Sequence, residues 1–211
     1  MKTKPSTPVP TVYVVDDDAS IRESLSSLIR SAGMTVAVYE SPLEFLALEQ
    51  LSDLACVVLD VRMPGLDGLA LQEKLAERGR EIPIVFITGH GDVPLAVRAM
   101  KAGAIDFLNK PFNDTDLLGA IAQALSRVLA ASRERTELAD LTERFQALTP
   151  REREIMFKVA EGKANKHIAY DLGVTESTVK VHRHNLMCKM QLRSVAELAL
   201  AIQRLKGAHL A

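Results

Sequence analysis

The sequence is poor in the residues that define several classes of protein. Only two cysteines occur, Cys56 in an apolar run and Cys188 in a distant basic segment, which excludes a disulfide framework and predicts two free thiols. No apolar run approaches the roughly 20 residues of a membrane span, so an integral membrane protein is excluded. Aromatic residues make up 4% of the chain and tryptophan is absent, which disfavours an RNA-binding output because it needs a stacking platform.

The first ten residues, MKTKPSTPVP, contain two lysines with no apolar stretch behind them. This pattern predicts a short disordered tail over 1–10 and no secretory signal. We therefore expect a cytoplasmic protein with no membrane partner.

The net charge of −1 is the sum of two unlike parts. Residues 1–130 contain 12 basic and 17 acidic side chains, whereas residues 131–211 contain 14 and 10. An acidic part followed by a basic part favours a cation-binding module joined to a module that meets a polyanion.

Five short apolar runs alternate with helical segments from residue 11 onward. The runs are TVYVV, TVAVY, CVVLD, IPIVFIT and AIDFL. Such strands predict a doubly wound α/β domain over 11–127, with a five-stranded parallel sheet covered by helices on both faces. The segment SPLEFLALEQL is predicted to be its second helix. The fifth helix is predicted to continue into a charged, partly helical linker over 128–147.

A small all-α domain is predicted over 148–211. In LTPRERE, Thr149 can cap a helix that begins at Pro150, and Glu152 can complete a capping box. Helices are predicted over 150–161, 164–172, 176–190 and 194–205. Gly173 lies between the second and third of them, as expected of a helix-turn-helix.

Polar side chains follow the ends of four predicted strands. The first strand is followed by three carboxylates, and the set is Asp16, Asp17, Asp18, Asp60, Thr88 and Lys110. Ligands of parallel sheets bind at this edge, and clustered carboxylates need a cation such as Mg²⁺. A carboxylate can also be the nucleophile in phosphoryl transfer, and Asp60 is the candidate. Helix capping is the simpler explanation for any single acid, but it does not explain the whole set.

The motifs VVDDD, LDVRMPG, ITGHGDVPLAVRAMKAGAIDFL and NKPF resemble the CheY-like receiver domain of response regulators. The resemblance implies that Asp60 accepts phosphate from a sensor histidine kinase. It also implies that Asp17, Asp60 and the backbone carbonyl of Arg62 bind Mg²⁺, with Asp16 assisting through water. Asp18 has no role in this scheme.

The same resemblance assigns the groups that respond to the phosphate. Lys110 would contact the phosphate, and Thr88 would move to hydrogen-bond it. Phe107 occupies the position of the switch aromatic residue, and the Lys110–Pro111 peptide bond is expected to be cis. These movements would remodel the face formed by the fourth helix, fifth strand and fifth helix, through which two copies would pair.

The third helix of the second domain has two unlike faces. At 100° per residue, Val179, Leu186 and Met190 fall on one face, and Lys180, Val181, His184 and Cys188 fall on the other. An exposed valine beside cations suits the reading of bases in the major groove. A metal site formed by His182, His184 and Cys188 is the alternative, which is disfavoured because His182 points elsewhere and further ligands are missing.

The segment from LTPREREIMFKVAEG to VKVHRHNLMCKM is similar to the LuxR-type helix-turn-helix. Together with the receiver, it implies the NarL/FixJ family and its FixJ-like group. The resemblance implies two sets of DNA contacts, bases by Lys180, Val181 and His184, and phosphates by Asn165, Lys166 and Thr178.

The second helix of this domain departs from the family pattern. Ala164 and His167 stand where a capping serine and a glutamate are usual. The missing cap costs about 1 kcal/mol. A protonated His167 would also meet the positive end of the helix, which predicts weaker DNA binding below neutral pH.

The combined resemblance implies a two-component regulator that is phosphorylated, dimerises and binds double-stranded promoter DNA. Activation through RNA polymerase is the family expectation. A phosphatase of the haloacid dehalogenase type is disfavoured because it needs a second Asp where this chain has Arg62. We therefore expect that the protein is no enzyme, and that its receiver catalyses only its own phosphotransfer and slow self-dephosphorylation. A DNA-binding protein with a degenerate receiver is disfavoured by the intact Asp, Thr and Lys set.

Overall fold

A computed structural model describes residues 9–89 and 93–208 of the chain and divides it into two compact units, 1–131 and 132–211. Most of the predicted tail, residues 1–8, lies outside the described residues. Each unit has its own apolar core.

The first unit is a five-stranded parallel sheet with the order β2-β1-β3-β4-β5. Its strands are β1 Thr11–Val15, β2 Thr35–Tyr39, β3 Ala55–Asp60, β4 Ile84–Thr88 and β5 Asp106–Asn109. The helices that follow them are α1 Ala19–Ser31, α2 Pro42–Leu46, α3 Gly68–Glu77, α4 Val93–Lys101 and α5 Asp114–Gln146. The predicted doubly wound fold is confirmed.

Alternate side chains of the strands enter two different cores. Val57 and Leu59 of β3 pack on one face of the sheet with Phe45 and Leu71 from α2 and α3. Cys56 and Val58 pack on the other face with α1 and α5. This separation follows from the period of two in a strand, and it explains why β3 is apolar at every position before Asp60.

The second helix is shorter than predicted. It was expected over SPLEFLALEQL, but α2 ends at Leu46. Leu48 and Leu51 still pack against the first core from an irregular segment. Apolar spacing indicates which side chains pack against a core, but the partial burial of these two leucines does not require a helix.

Helix α5 is unbroken over 33 residues and includes all but the last residue of the predicted linker 128–147. Leu141 and Phe145, in the second half of that segment, belong to the core of the second unit. The segment therefore contributes core side chains and is more than a spacer.

The second unit is all helical after α5. It contains α6 Pro150–Ala160, α7 Asn165–Leu172, α8 Glu176–Met190 and α9 Val195–Gly207. The capping box of Thr149 and Glu152 is present, which confirms that prediction. No helix in the described parts of either unit is long and apolar enough to cross a membrane.

Candidate functional site

The carboxyl ends of β1, β3, β4 and β5 bring the predicted polar groups of the first unit to one edge of the sheet. These strands are neighbours in the order β1-β3-β4-β5, and Asp60 and Thr88 are the last residues of β3 and β4. Asp16 follows β1 directly, and Lys110 follows β5. The topology therefore places side chains that are up to 94 residues apart in the chain at one site.

Lys110 lies between two buried carboxylates. Its Nζ donates to Asp16 Oδ2 at 2.7 Å and to Asp60 Oδ1 at 2.8 Å. The other oxygen of Asp60, Oδ2, accepts the backbone N–H of Arg62 at 2.8 Å. The Lys110–Pro111 peptide bond is cis, as predicted. One cation thus serves two acids, and both oxygens of Asp60 have a donor.

Burial raises the pKa of Asp60 above its usual value, and the charge of Asp16 acts in the same direction. The ammonium of Lys110 and the Arg62 N–H pull this pKa down, but they do not outweigh the loss of solvent. Burial lowers the pKa of Lys110, yet its bonds to the two carboxylates prevail and the pKa is raised overall. Lys110 is therefore a fixed positive charge, and Asp60 is a carboxylate whose ionised form is poorly solvated.

Asp16 also accepts two hydrogen bonds from residues that follow it closely in the chain. Its Oδ1 accepts the N–H of Asp18 at 2.9 Å, and its carbonyl accepts a hydrogen bond from Arg22 Nη1 at 2.7 Å. Asp17 is exposed beside it. Asp18 caps α1 by accepting the N–H of Ser20 at 2.8 Å. The sequence DDDAS contains this N-cap signal, so the third carboxylate has a structural role that could have been predicted.

The predicted metal ligands are all oxygen donors, which is the chemistry that Mg²⁺ prefers. The site has a net negative charge, because the two carboxylates of Asp16 and Asp60 face one ammonium, that of Lys110. Asp17 adds a further negative charge. In this arrangement Lys110 lies between Asp16 and Asp60, and across residues 9–89 and 93–208 no three His, Cys, Asp or Glu side chains are grouped to hold a metal. The donor set fits a hard cation by its charge and its atoms.

The two predicted switch residues lie on β4 and β5. Thr88 is buried at the end of β4, and its carbonyl accepts the N–H of Lys110 at 2.7 Å. Phe107 is half-buried and packs on Phe86, with ring centroids 6.2 Å apart. Thr88 lies two residues after Phe86 on β4, and Phe86 contacts Phe107. A movement of Thr88 can therefore reach Phe107 through Phe86.

Gly68 was not predicted to matter at this site. A Cβ atom at this position would lie 2.4 Å from the carbonyl oxygen of Asp60 and 3.1 Å from the Phe86 ring. The Gly68 N–H also donates to the carbonyl of Val61 at 2.9 Å. The start of α3 therefore approaches the backbone of the candidate nucleophile as closely as only glycine allows.

The helix-turn-helix of the second unit consists of α7, a turn at Gly173 and α8. Gly173 ends α7 in the left-handed conformation, with φ of 63°. Thr175 then caps α8 by accepting the N–H of Thr178. Ala164 begins α7 with no side-chain cap, as the sequence indicated.

The two faces of α8 are confirmed. Val179, Leu186 and Met190 are buried in the core of the unit. The predicted base-reading residues Lys180, Val181 and His184 are exposed.

The predicted phosphate contacts differ in their surroundings. Lys166 is exposed, whereas Asn165 and Thr178 are half-buried. Thr178 Oγ1 lies 2.8 Å from the hydroxyl of Thr175, and Asn165 Oδ1 accepts a hydrogen bond from Arg183 Nη1 at 3.0 Å.

Two arginines at this surface were not predicted from the sequence. A groove in the second unit is lined by Arg183 and Arg193 together with Asn165, Lys180 and His184. Arg183 also ties α8 to the start of α7 through its bond to Asn165. Helical periodicity assigned a face to each residue of α8, but it could not show that a side chain reaches a neighbouring helix.

An ion pair between buried Glu152 and exposed Lys189 joins α6 to α8. Glu152 Oε2 accepts hydrogen bonds from Lys189 Nζ at 2.7 Å and from the backbone N–H of Thr149 at 2.8 Å. Burial acts to raise the pKa of Glu152, but these donors prevail and hold it below its usual value. The pair fixes the last turn of α8 against the start of α6.

Comparison with known families gives the class of each unit. The family described as "Response regulator receiver domain" matches residues 12–122, and "Bacterial regulatory proteins, luxR family" matches residues 146–202. The chain is thus a transcription regulator with a receiver domain and a LuxR-type DNA-binding domain.

Relatives over nearly the whole chain make the assignment narrower. Response regulator protein TmoT of Ectopseudomonas mendocina is 47% identical over 92% of this chain and 89% of its own. Transcriptional regulatory protein FixJ of Bradyrhizobium diazoefficiens is 44% identical over 92% and 94%. The solved structure of response regulator StyR is 47% identical, with a TM-score of 0.81 over 93% of this chain and all of that one. The chain belongs to the NarL/FixJ family of two-component response regulators.

Proposed function

We propose that a sensor histidine kinase phosphorylates this regulator on Asp60, and that the phosphorylated form dimerises and binds promoter DNA. The observation that carries the proposal is the position of Asp60 at the end of β3. Its Oδ1 lies 2.8 Å from the ammonium of Lys110, and Asp16 is bonded to the same ammonium. Membership of a family that combines a receiver domain with a LuxR-type DNA-binding domain implies a sensor kinase and DNA as partners.

The chemistry assigned to Asp60 is nucleophilic attack by a carboxylate oxygen on phosphorus. The P–N bond to the kinase histidine breaks, its electron pair stays with the imidazole, and an acyl phosphate forms on Asp60. Lys110 Nζ, already at hydrogen-bond distance from Oδ1, is placed to bind an oxygen of the new phosphoryl group. The Arg62 N–H holds the other carboxylate oxygen during the transfer.

Receiver domains generally bind Mg²⁺ at their acidic site, and the donors described above fit it. Asp17, Asp60 and the Arg62 carbonyl would hold the ion, with Asp16 assisting through water. When bound, the ion supplies positive charge that offsets the charge of the phosphoryl oxygens. Asp16 also keeps Lys110 in place through its 2.7 Å bond.

Thr88 and Phe107 are assigned the conformational response to the phosphoryl group. They lie next to α4, which would form part of the dimer interface. Helix α4 exposes Val93, Val97 and Met100, which are 76%, 45% and 44% accessible. Apolar side chains exposed on one short helix favour a protein interface. Phosphorylation would act by shifting the population toward the form that pairs through α4, β5 and α5.

The output is assigned to α7 and α8. Lys180, Val181 and His184 are exposed for contact with base edges, and Asn165, Lys166 and Thr178 lie at the start of the two helices for contact with phosphates. A dimer would place two copies of α8 one DNA turn apart. We expect this binding to take place in the cytoplasm. Activation of transcription, with RNA polymerase as a further partner, completes the proposal.

Asp60→Asn tests the switch, and Asp53→Asn is a matched control. Asp53 is exposed just before the opposite end of the same strand, so its change removes the same charge away from the site. Acetyl phosphate with Mg²⁺ is expected to add phosphate, to double the mass in light scattering and to tighten DNA binding in the wild type and in the control. Asp60→Asn is expected to show none of these changes. DNA binding by Asp60→Asn as tight as that of the phosphorylated wild type would contradict the proposal.

A further inference from the structure

His184 and Cys188 form a pair of metal-ligand side chains on the exposed face of α8. They are four residues apart, so they lie one above the other on the helix. Both are exposed, and His184 Nε2 lies 3.6 Å from Cys188 Sγ. The proposed function uses His184 for bases and gives Cys188 no role.

The distance between these two atoms matches the separation of two ligands on one zinc ion. Zn–S and Zn–N bonds are about 2.3 Å and 2.0 to 2.1 Å, and a tetrahedral angle between them separates the two atoms by about 3.5 Å. The 3.6 Å in the structure is within a tenth of an ångström of this value. Neither side chain needs to move far to share an ion.

Of the two cysteine thiols, Cys188 is the one that a thiophilic ion can reach. The chain has two cysteines, and the other one, Cys56, is buried, which raises the pKa of its thiol to about 12. Two lysines of α8 have acidic partners, because Lys180 pairs with Glu176 at 3.0 Å and Lys189 pairs with Glu152 at 2.7 Å. His182 is half-buried on the same helix.

We propose that His184 and Cys188 chelate a thiophilic metal ion of the zinc class, and that this ion competes with DNA for α8. Binding takes one proton from the Cys188 thiol and uses the lone pair of neutral His184 Nε2. Water completes the coordination, as it does at the open position of catalytic zinc sites. The competition rests on the proposed function, because the ion removes His184 from base reading. The chelate itself does not depend on DNA.

The chelate is tested without DNA by alkylation of Cys188 with iodoacetamide on the full chain, in excess Mg²⁺ so that hard-cation sites are filled. Zn²⁺ is expected to slow alkylation in the wild type, and chelation with EDTA is expected to restore the rate. His184→Asn should weaken this protection by about tenfold or more, since even loss of an outer partner of a metal ligand costs that much. His182→Asn is the matched control and should keep full protection. Equal protection in the two variants would overturn the chelate.

The competition is tested by DNA affinity with and without Zn²⁺, again in excess Mg²⁺. Loss of one base-contacting side chain weakens binding by about fivefold or more. The wild type should show this loss, and Cys188→Ser should show a much smaller one. An equal loss in both proteins, or protection of the thiol with no loss of affinity, would overturn the competition. If the metal-free wild type fails to bind DNA at all, the proposed function fails, while the alkylation result still decides the chelate.

Discussion

The close approach of Gly68 to Asp60 makes Gly68→Ala a direct test of how the backbone positions the candidate phosphoacceptor. The new Cβ would start 2.4 Å from the Asp60 carbonyl oxygen and 3.1 Å from both the Val61 Cα and the Phe86 ring. Real Cβ atoms do not approach other atoms closer than 3.0 Å, and the nearest atom belongs to the backbone. Either the end of β3 or the start of α3 must therefore move.

The size of the effect follows from two opposing terms. Overfilling a packed site costs about 1 to 3 kcal/mol, and replacing a helical glycine by alanine returns about 0.5 to 1 kcal/mol. The first unit should therefore lose up to about 2.5 kcal/mol of its free energy of unfolding. Misplacement of a reacting group by about 1 Å costs about a hundredfold in rate, so a shift of roughly half that distance at Asp60 should slow phosphorylation by about tenfold.

Two measurements on the full chain separate these effects, with Gly119→Ala as the matched control. Gly119 is exposed within α5, and a Cβ there would meet nothing within 4 Å, so this variant should be slightly more stable. Hydrogen exchange of β3 and β4 peptides in urea reports the stability of the first unit, and acetyl phosphate with Mg²⁺ reports the rate. If Gly68→Ala were as stable as the control and accepted phosphate at the wild-type rate, the steric argument would be refuted.

Three further predictions concern single side chains. Lys110→Ala should slow phosphate acceptance by about a hundredfold. Its pH profile should move upward, because burial and Asp16 then raise the pKa of Asp60 without the opposing ammonium. Lys101→Ala, at an exposed lysine, is the control. Glu152→Gln should cost the second unit about 1.5 to 3 kcal/mol near neutral pH in urea unfolding. Because folding lowers this pKa, the difference from the wild type should shrink as pH falls from the usual pKa of glutamate down through the lowered pKa of Glu152. Ala164→Ser supplies the missing cap of α7 and should raise the melting temperature of that unit, with a gain of about 1 kcal/mol.

The sequence predicted the sheet because its strands are buried on both faces and read as short apolar runs. The same reasoning failed at α2, where Leu48 and Leu51 pack against the core, partly buried, without being helical. It also described residues 128–147 as a linker, although Leu141 and Phe145 belong to a core. Periodicity reports that a residue is buried, but the partner that buries it is decided by long-range packing.

The residue types of the candidate site could be predicted because strand ends in a parallel sheet meet at one edge. The sharing of Lys110 between Asp16 and Asp60, and the approach of Gly68 to Asp60, could not be predicted. Both depend on distances of a few tenths of an ångström between elements that are far apart in the chain. The role of Asp18 is different, because its capping signal is local and was present in the sequence.

Asp60 in the first unit and Glu152 in the second are both buried acids bonded to a lysine, and the pKa values of these two acids are shifted in opposite directions. Glu152 is satisfied by the Thr149 backbone and hydroxyl as well as Lys189, so its pKa falls and its charge is stable in the folded protein. Asp60 has Lys110 and one backbone N–H, which do not offset burial, so its pKa rises. An under-stabilised carboxylate is the better nucleophile, and a perturbed pKa of this kind marks reactive sites. Glu152 is thus suited to hold two helices together, and Asp60 is suited to react.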